Sequence, residues 1–141
     1  MAIGKGKSSS VWRQSGGFTP LTVTMESTGS AVAYMYDNQI FIECTAAAIN
    51  KYVEVTTPIG FKVIDHYNIL DGTTSSAVTA ANGASQLSTV AATGTTDGAL
   101  KRATVLDTDE WQFDAGDDDL RLDVATGAFT GIAVLTIVPQ G

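Results

Sequence analysis

The chain has 141 residues, of which 44% are hydrophobic, and a formal net charge of −7. This length suits a single domain, and the hydrophobic content argues against wholesale disorder. With Cys44 as its one cysteine, the chain cannot form an internal disulfide. It has no run of about 18 apolar residues, which argues against a membrane span.

The charge is divided unevenly along the chain. Residues 1–17, MAIGKGKSSSVWRQSGG, carry Lys5, Lys7 and Arg13 and no acid. The other five basic residues and all fifteen acidic residues lie in residues 18–141, which therefore have a net charge of −10. Contact with phosphate requires positive charge, so this acidic body argues against a nucleic-acid partner.

The Gly- and Ser-rich composition of residues 1–17 predicts a flexible basic N-terminal arm, followed by one folded domain over residues 18–141. Trp12 and Val11 are apolar residues inside this arm. A tryptophan in such a segment either anchors the segment to a partner or folds back onto its own domain. Both alternatives remain open from the sequence.

Short strand-like runs follow the arm in quick succession. They are Leu21–Met25, Ala31–Tyr36, Gln39–Glu43, Tyr52–Thr57 and Phe61–Leu70. Asp37-Asn38 separates the second run from the third and predicts a hairpin. The one helical candidate is Cys44–Tyr52, a turn or two at most.

The middle of the chain, residues 71–100, is small and polar. Asn82-Gly83 is its strongest turn signal, because both residues tolerate the left-handed backbone of a two-residue hairpin. The flanking segments 76–80 and 85–90 fit two modest strands.

The last third predicts three further strands. Trp111 and Phe113 alternate with polar residues in the first, and Leu120, Leu122 and Val124 do so in the second. The third, Gly131–Val138, is apolar on both faces, so we expect it to be covered on both.

The number and spacing of these strands predict the fold class. About nine to eleven short strands at this spacing are typical of an all-β protein, an antiparallel β-sandwich or barrel. We favour a jelly-roll sandwich, because the C-terminal strand has the composition of a central, buried one.

No constellation of catalytic residues stands out. His66 is the only histidine and lies mid-strand among apolar residues, where a packed histidine is expected. Cys44 follows Ile40, Phe41 and Ile42 and fits a small buried hydrophobe. One histidine and one cysteine do not make a zinc site. We predict a non-enzymatic protein with no catalytic residue and no cofactor.

Two weaker patterns invite binding hypotheses. The acidic turn with Asp114 and Asp117–Asp119 could hold Ca²⁺, but its spacing does not fit an EF-hand loop, and a solvated turn is favoured. Aromatic residues on strands could instead line a sugar-binding face. They are Tyr34, Tyr36, Tyr52, Tyr67 and Trp111.

The second half of the chain, from Phe61 to Gly141, resembles small all-β head proteins encoded beside the major capsid protein gene in many tailed bacteriophages. The likeness rests on FKVIDHYNIL at 61–70, the small-residue segment with Ala80-Ala81-Asn82-Gly83, and VLDTDEWQF at 105–113. It continues with an Ala-Gly-Asp turn, a Leu-Arg-Leu strand and a Gly-rich approach to Val138-Pro139. Asp118-Asp119 lengthens the link after the turn relative to the family pattern, and residues 1–60 are not covered.

The resemblance implies a capsid decoration, or cement, protein on the outer surface of the virion. Its partners would be the major capsid protein and its own copies, as a homotrimer, and it would be made in the host cytoplasm. The arm residues Lys5, Lys7, Trp12 and Arg13 are the candidate capsid-binding residues, since basic side chains can meet an acidic surface while the indole fills a pocket. The alternative is a carbohydrate-binding or host-surface adhesion module on the same fold. Small apolar residues such as Ala77, Val78 and Val90 are candidates for self-association.

Overall fold

The computed structural model describes residues 19–26, 28–48, 51–88, 91–92, 96–107, 111–114 and 119–139. These residues form twelve strands: β1 Thr19–Met25, β2 Ser30–Tyr36, β3 Gln39–Ala47, β4 Lys51–Thr56, β5 Phe61–Leu70, β6 Ala77–Asn82, β7 Ser85–Gln86, β8 Ala91–Ala92, β9 Leu100–Arg102, β10 Gln112–Phe113, β11 Leu120–Ala125 and β12 Phe129–Pro139. The prediction of an all-β protein is confirmed. Within the described ranges no helix is long and apolar enough to cross a membrane.

The strands pair antiparallel in one curled sheet. Its order is β10-β5-β12-β3-β2-β1-β4-β11-β6-β7, with β9 also on β5 and β8 also on β6. Strand β1 links two halves of this sheet, because Thr19–Leu21 pair with β2 while Thr22–Met25 pair with β4. We call the strands on the β2 side of β1 the first half and those on the β4 side the second half.

Both halves contribute to one hydrophobic core. Period-2 alternation points every second side chain of a strand inward, where it leaves water. The buried cluster includes Ile40, Ile42 and Leu135 from the first half and Val53, Val55 and Leu122 from the second. At one edge the rings of Phe61 and Phe113 stack with centroids 4.8 Å apart, which ties the short strand β10 to β5.

Both predicted hairpins are present. Tyr36 pairs with Gln39 across Asp37-Asn38, and Asp37 has a φ of 58°. Asn82 pairs with Ser85, so the second turn is Gly83-Ala84, one residue later than predicted, and Gly83 has a φ of 57°. Aspartate and glycine are residue types that accept this left-handed backbone, which is why the sequence signal was reliable here.

Three local predictions are wrong in extent. The helical candidate 44–52 is strand at both ends, because β3 continues to Ala47 and β4 begins at Lys51. In the segment predicted as a strand over 85–90, Ser85 and Gln86 pair with β6, the Leu87 side chain enters the core and Ser88 forms an isolated bridge with Leu106, while residues 89 and 90 lie outside the described ranges. The strand around Trp111 and Phe113 is limited to Gln112–Phe113 in the described residues.

Strand β12 is central in the first half, between β3 and β5, as its composition predicted. Its inward residues, including Phe129, Leu135 and Ile137, are buried in the core. Its outward side is only partly covered: Ile132 and Thr136 are half-buried and Val138 is exposed. The prediction that both faces are covered therefore holds for the inward face only.

Candidate binding surface

The predicted capsid-binding residues Lys5, Lys7, Trp12 and Arg13 lie outside the described residues, as does the predicted boundary between residues 17 and 18. The first described residue, Thr19, pairs with Met35 of β2. Thr19 therefore lies in the first half, close to the β2–β3 hairpin.

A row of mostly apolar side chains crosses the outward side of the first half. The strand registers align Val32, Glu43, Ile132, Ile69 and Leu100 on β2, β3, β12, β5 and β9. Their outward direction follows from alternation with buried residues on each strand. The two ends of this row, Val32 and Leu100, are 59% and 48% exposed.

The next row is aromatic. It consists of Tyr34, Phe41, Val134, Tyr67 and Arg102, in the same strand order. The Tyr34 and Phe41 rings stack with centroids 5.1 Å apart, and the Arg102 guanidinium lies 5.1 Å from the centroid of the Tyr67 ring. Val134 is only 1% exposed although it points outward, because Phe41 and Tyr67 flank it on the neighbouring strands.

Two further rows complete this surface, which we call the outer face. The third row holds Tyr36, Gln39, Thr136 and Asp65, and the fourth holds Lys62 and Val138, with Ile64 between these two rows. Six large hydrophobic side chains are exposed among the described residues, and five of them lie on the outer face: Val32, Tyr36, Ile64, Leu100 and Val138. A concentration of exposed apolar side chains on one sheet face is typical of a contact surface.

The charges of the outer face balance one another. Its four charged side chains are Glu43, Asp65, Lys62 and Arg102. Arg102 Nε lies 3.1 Å from Asp65 Oδ2, and the Lys62 ammonium lies 5.1 Å from the centroid of the Trp111 ring. Burial, then a hydrogen bond to Glu43 and the charge of that carboxylate, raises the pKa of Tyr34 to about 12. Tyr34 is therefore a neutral donor to Glu43 at any physiological pH.

The outward side of the second half has a different character. Arg121 of β11 lies 3.2 Å from Glu54 of β4 and covers the Tyr52 ring at 3.9 Å from its centroid. Asp123 is beside them, and burial raises the pKa of its carboxyl, an effect that Arg121 opposes and Glu26 reinforces. This is a polar, ion-paired surface, and none of the six large exposed hydrophobic side chains among the described residues lies on a strand of the second half.

The aromatic residues of the sugar-binding hypothesis do not form one platform. Tyr34, Tyr36 and Tyr67 lie on the outer face, whereas Tyr52 lies on the second half. One ring face of Tyr34 is covered by Phe41, and cations lie over Tyr52, Tyr67 and Trp111. Stacking on a sugar needs open ring faces, so this arrangement favours protein contact over a flat glycan platform.

His66 is fully buried in a polar network. Its Nε2 lies 2.9 Å from Asn68 Oδ1, and its Nδ1 lies 2.9 Å from Ser88 Oγ. The Ser88 oxygen also accepts the Ala80 N–H at 2.9 Å, and the Asn68 amide donates to the Val78 carbonyl at 3.4 Å. These bonds assign a neutral imidazole that donates from Nε2 and accepts at Nδ1. Burial lowers the pKa of His66 to about 4, although Asn68 and Asp65 oppose the shift.

The other candidate residues are also accounted for. Cys44 is buried, as predicted, and burial raises the pKa of its thiol to about 12, which keeps it protonated. Asp117 and Asp118 of the acidic turn lie outside the described residues. The described residues contain no group of three or more His, Cys, Asp or Glu side chains placed to hold a metal. Val78 is fully buried in the core, so it is not available for self-association.

Two open concavities flank the segment 103–107. One has a volume of about 430 Å³ and is lined by Gln86, Leu87, Ser88, Val105 and Asp107. The other, about 380 Å³, is lined by residues that include Ile64, Asp65 and Trp111. The Ser88 side chain at the first is only 1% exposed, and its hydroxyl is hydrogen-bonded to His66 Nδ1 and to the Ala80 N–H.

The sequence carried one signal of the outer face, the apolar composition of β12 on both sides. It did not identify the face itself, because the alignment of Val32 with Leu100 depends on four strand registers. No family model, no curated protein and no solved structure matches this chain.

Proposed function

We propose that this protein is a virion structural protein, a capsid decoration or cement protein of a tailed bacteriophage. In this role it binds the outside of the major capsid protein lattice, associates with its own copies and stabilises the head. The proposal rests on the resemblance of residues 61–141 to small phage head proteins, and the outer face supports it from the structure. A protein that works by contact needs an apolar surface that remains accessible after folding.

The observation that carries the proposal is the contrast between the two halves of the sheet. Five exposed apolar side chains gather on the outer face, while the second half is polar and ion-paired. A non-enzymatic role fits the same residues, since the only histidine is buried at 0% exposure with both ring nitrogens hydrogen-bonded. Many identical contacts on a lattice then add through avidity, even when each is weak.

The proposal includes a finer description of the fold. We propose that the curled sheet is a jelly-roll-like sandwich, with the first and second halves as its two layers. The shared hydrophobic core supports this reading, as does β1, which pairs with β2 and then with β4 and so passes from one half to the other.

The predicted arm provides the capsid contact in this proposal. Lys5, Lys7 and Arg13 supply positive charge to a chain that is otherwise strongly acidic, and Trp12 supplies a large apolar side chain. An aromatic residue with basic neighbours is a common combination at binding hot spots. Phe18, at the start of the body, lies within a few residues of this segment.

Co-sedimentation with empty capsids tests the function. Empty capsids are assembled from the major capsid protein of the proposed phage, and the full chain is expected to pellet with them. Two arm variants are expected to reduce the fraction of the protein that pellets with the capsids. One lacks residues 1–17, and the other combines Trp12→Ala with glutamine at positions 5, 7 and 13. The matched control replaces Lys51 and Lys101 by glutamine, which removes two charges from the body instead. Equal binding of the wild-type and arm variants would exclude the arm as the capsid contact, and no binding by the wild type would reject the function.

A further inference from the structure

We infer that the outer face is buried between copies of this chain, so that self-association, rather than the capsid or the arm, covers the apolar side chains of the first half. This inference deepens the proposed function, which includes contact between copies but does not say which surface forms it. Three observations favour a second copy as the occupant: the charge of the face, its size and the position of its opposite charges.

The balanced charge of the outer face suits contact with a second copy. The whole chain carries −7 and residues 18–141 carry more negative charge still, so two copies repel when acidic surfaces meet. On the outer face Glu43 and Asp65 are matched by Lys62 and Arg102. A neutral, apolar surface is therefore where two acidic bodies meet with the smallest electrostatic cost.

The size of the outer face matches what a stable contact needs. Five strands spaced about 4.8 Å apart give a width of about 24 Å, and four outward rows about 6.8 Å apart give a length of about 27 Å. The third and fourth rows do not extend across all five strands, so the projected area is smaller than this rectangle, roughly 500 Å². A standard interface buries about 800 Å² on each partner. The solvent-accessible area of the outer face is larger than its projected area, because the side chains protrude from the sheet. The face is thus large enough without any contribution from the second half.

Glu43 and Arg102 of the outer face lie too far apart to meet within one copy, in which Arg102 pairs with Asp65. Glu43 is on β3 and Arg102 on β9, with β12 and β5 between them, which separates their strands by roughly 14 Å. When two such faces pack with β12 near the centre, the β3 side of one copy lies over the β9 side of the other. Glu43 of each copy then comes within reach of Arg102 of the other, and Val32 comes to Leu100. This reciprocal contact forms a dimer, in place of the homotrimer that the resemblance implies.

Sedimentation velocity of the purified full chain, without capsids, tests the inference. The wild type is expected to sediment as an assembly, and Val32→Lys and Leu100→Lys are each expected to raise the dissociation constant by at least about tenfold. These lysines reduce the net negative charge, so weaker association cannot come from overall repulsion. Thr24→Lys is the matched control, because Thr24 is exposed and pairs with Glu54 of β4 on the second half, away from the outer face. Circular dichroism should show that all three variants fold.

A charge exchange tests the pairing across copies. Glu43→Lys and Arg102→Glu should each weaken the assembly, and an equimolar mixture of the two variants should recover it. Within one chain these sites are too distant to couple, so recovery on mixing arises only from contact between copies.

Several results would overturn the inference. One is a wild type that remains monomeric at high micromolar concentration. Another is an assembly that Val32→Lys, Leu100→Lys and the charge exchange leave unchanged. A monomeric wild type that associates after deletion of residues 1–17 would assign the face to the arm. A monomer that binds capsids only when Val32 is intact would assign it to the capsid and leave the proposed function standing. An assembly that the outer-face substitutions weaken, but that does not bind capsids, would reject the proposed function and support the inference.

Discussion

The His66 network predicts a specific loss of stability in mild acid. In the unfolded chain the imidazole titrates near its ordinary pKa of 6.5, whereas burial lowers the pKa of the folded state to about 4. The unfolded state therefore takes up a proton first as the pH falls. The stabilisation is complete above pH 6.5, is lost as the pH falls towards 4, and changes little below that.

The two pKa values set the size of this effect. Each unit of difference corresponds to about 1.4 kcal/mol, so the full loss is about 3 kcal/mol. Because the folded imidazole is still neutral at pH 5, roughly 2 kcal/mol of this loss has already occurred there. Such a change is a large fraction of the stability of a single domain.

Urea denaturation of wild type and His66→Gln at a series of pH values isolates the contribution. Glutamine keeps an amide donor that can reach Asn68 but does not titrate near neutral pH. His66→Gln is expected to be less stable than wild type at pH 7.5, and the gap should narrow by about 2 kcal/mol at pH 5. A gap that stays constant from pH 7.5 to pH 4.5 would refute the assignment of a buried neutral histidine.

Three further predictions concern the core and the ladder of β12. Cys44 should not react with a thiol reagent at pH 8 in the folded protein and should react fully in urea, as followed by absorbance; rapid labelling without denaturant would contradict its burial. Phe113→Ala should lower the free energy of unfolding by about 3–5 kcal/mol, because it removes a ring that is 1% exposed and stacked on Phe61; a loss below about 1 kcal/mol would show that β10 is not anchored there. Gly131→Ala should lower the free energy of unfolding by more than about 2 kcal/mol, since an added methyl group meets the Ile69 carbonyl. Gly83→Ala should lower it by only about 1–2 kcal/mol, because Gly83 has open space around it and only its φ of 57° is unfavourable for alanine. Equal losses in the two variants would contradict the close approach of β5 and β12.

The predictable part of the fold was the part decided locally. Asp37-Asn38 and Asn82-Gly83 marked hairpins because their residue types suit a positive φ, and alternation identified β11 through Leu120, Leu122 and Val124. The sequence does not predict a strand at residues 44–47, because the composition of CTAAAINKY favours a helix. These residues extend β3 instead, since Cys44 pairs with Ala31 on one side and with Gly131 on the other.

The candidate surface depended on long-range pairing and could be predicted only in part. The two-sided apolar pattern of Gly131–Val138 indicated that something covers the outward side of β12. Which residues share that side follows from registers between strands far apart in sequence, such as Ile69 with Leu100 and Val32 with Glu43. The roles expected of Lys5, Lys7, Trp12 and Arg13 stay predictions, since these residues lie outside the described ranges.

The most direct test of the central claim is the thermal stability of capsids with and without this protein. Empty capsids are mixed with a molar excess of the full chain, pelleted, and melted in a calorimeter. We predict that the protein pellets with the capsids in a fixed ratio and that the melting transition of the capsids moves to a higher temperature. A protein that stays in the supernatant, with the capsid transition unchanged, would contradict it.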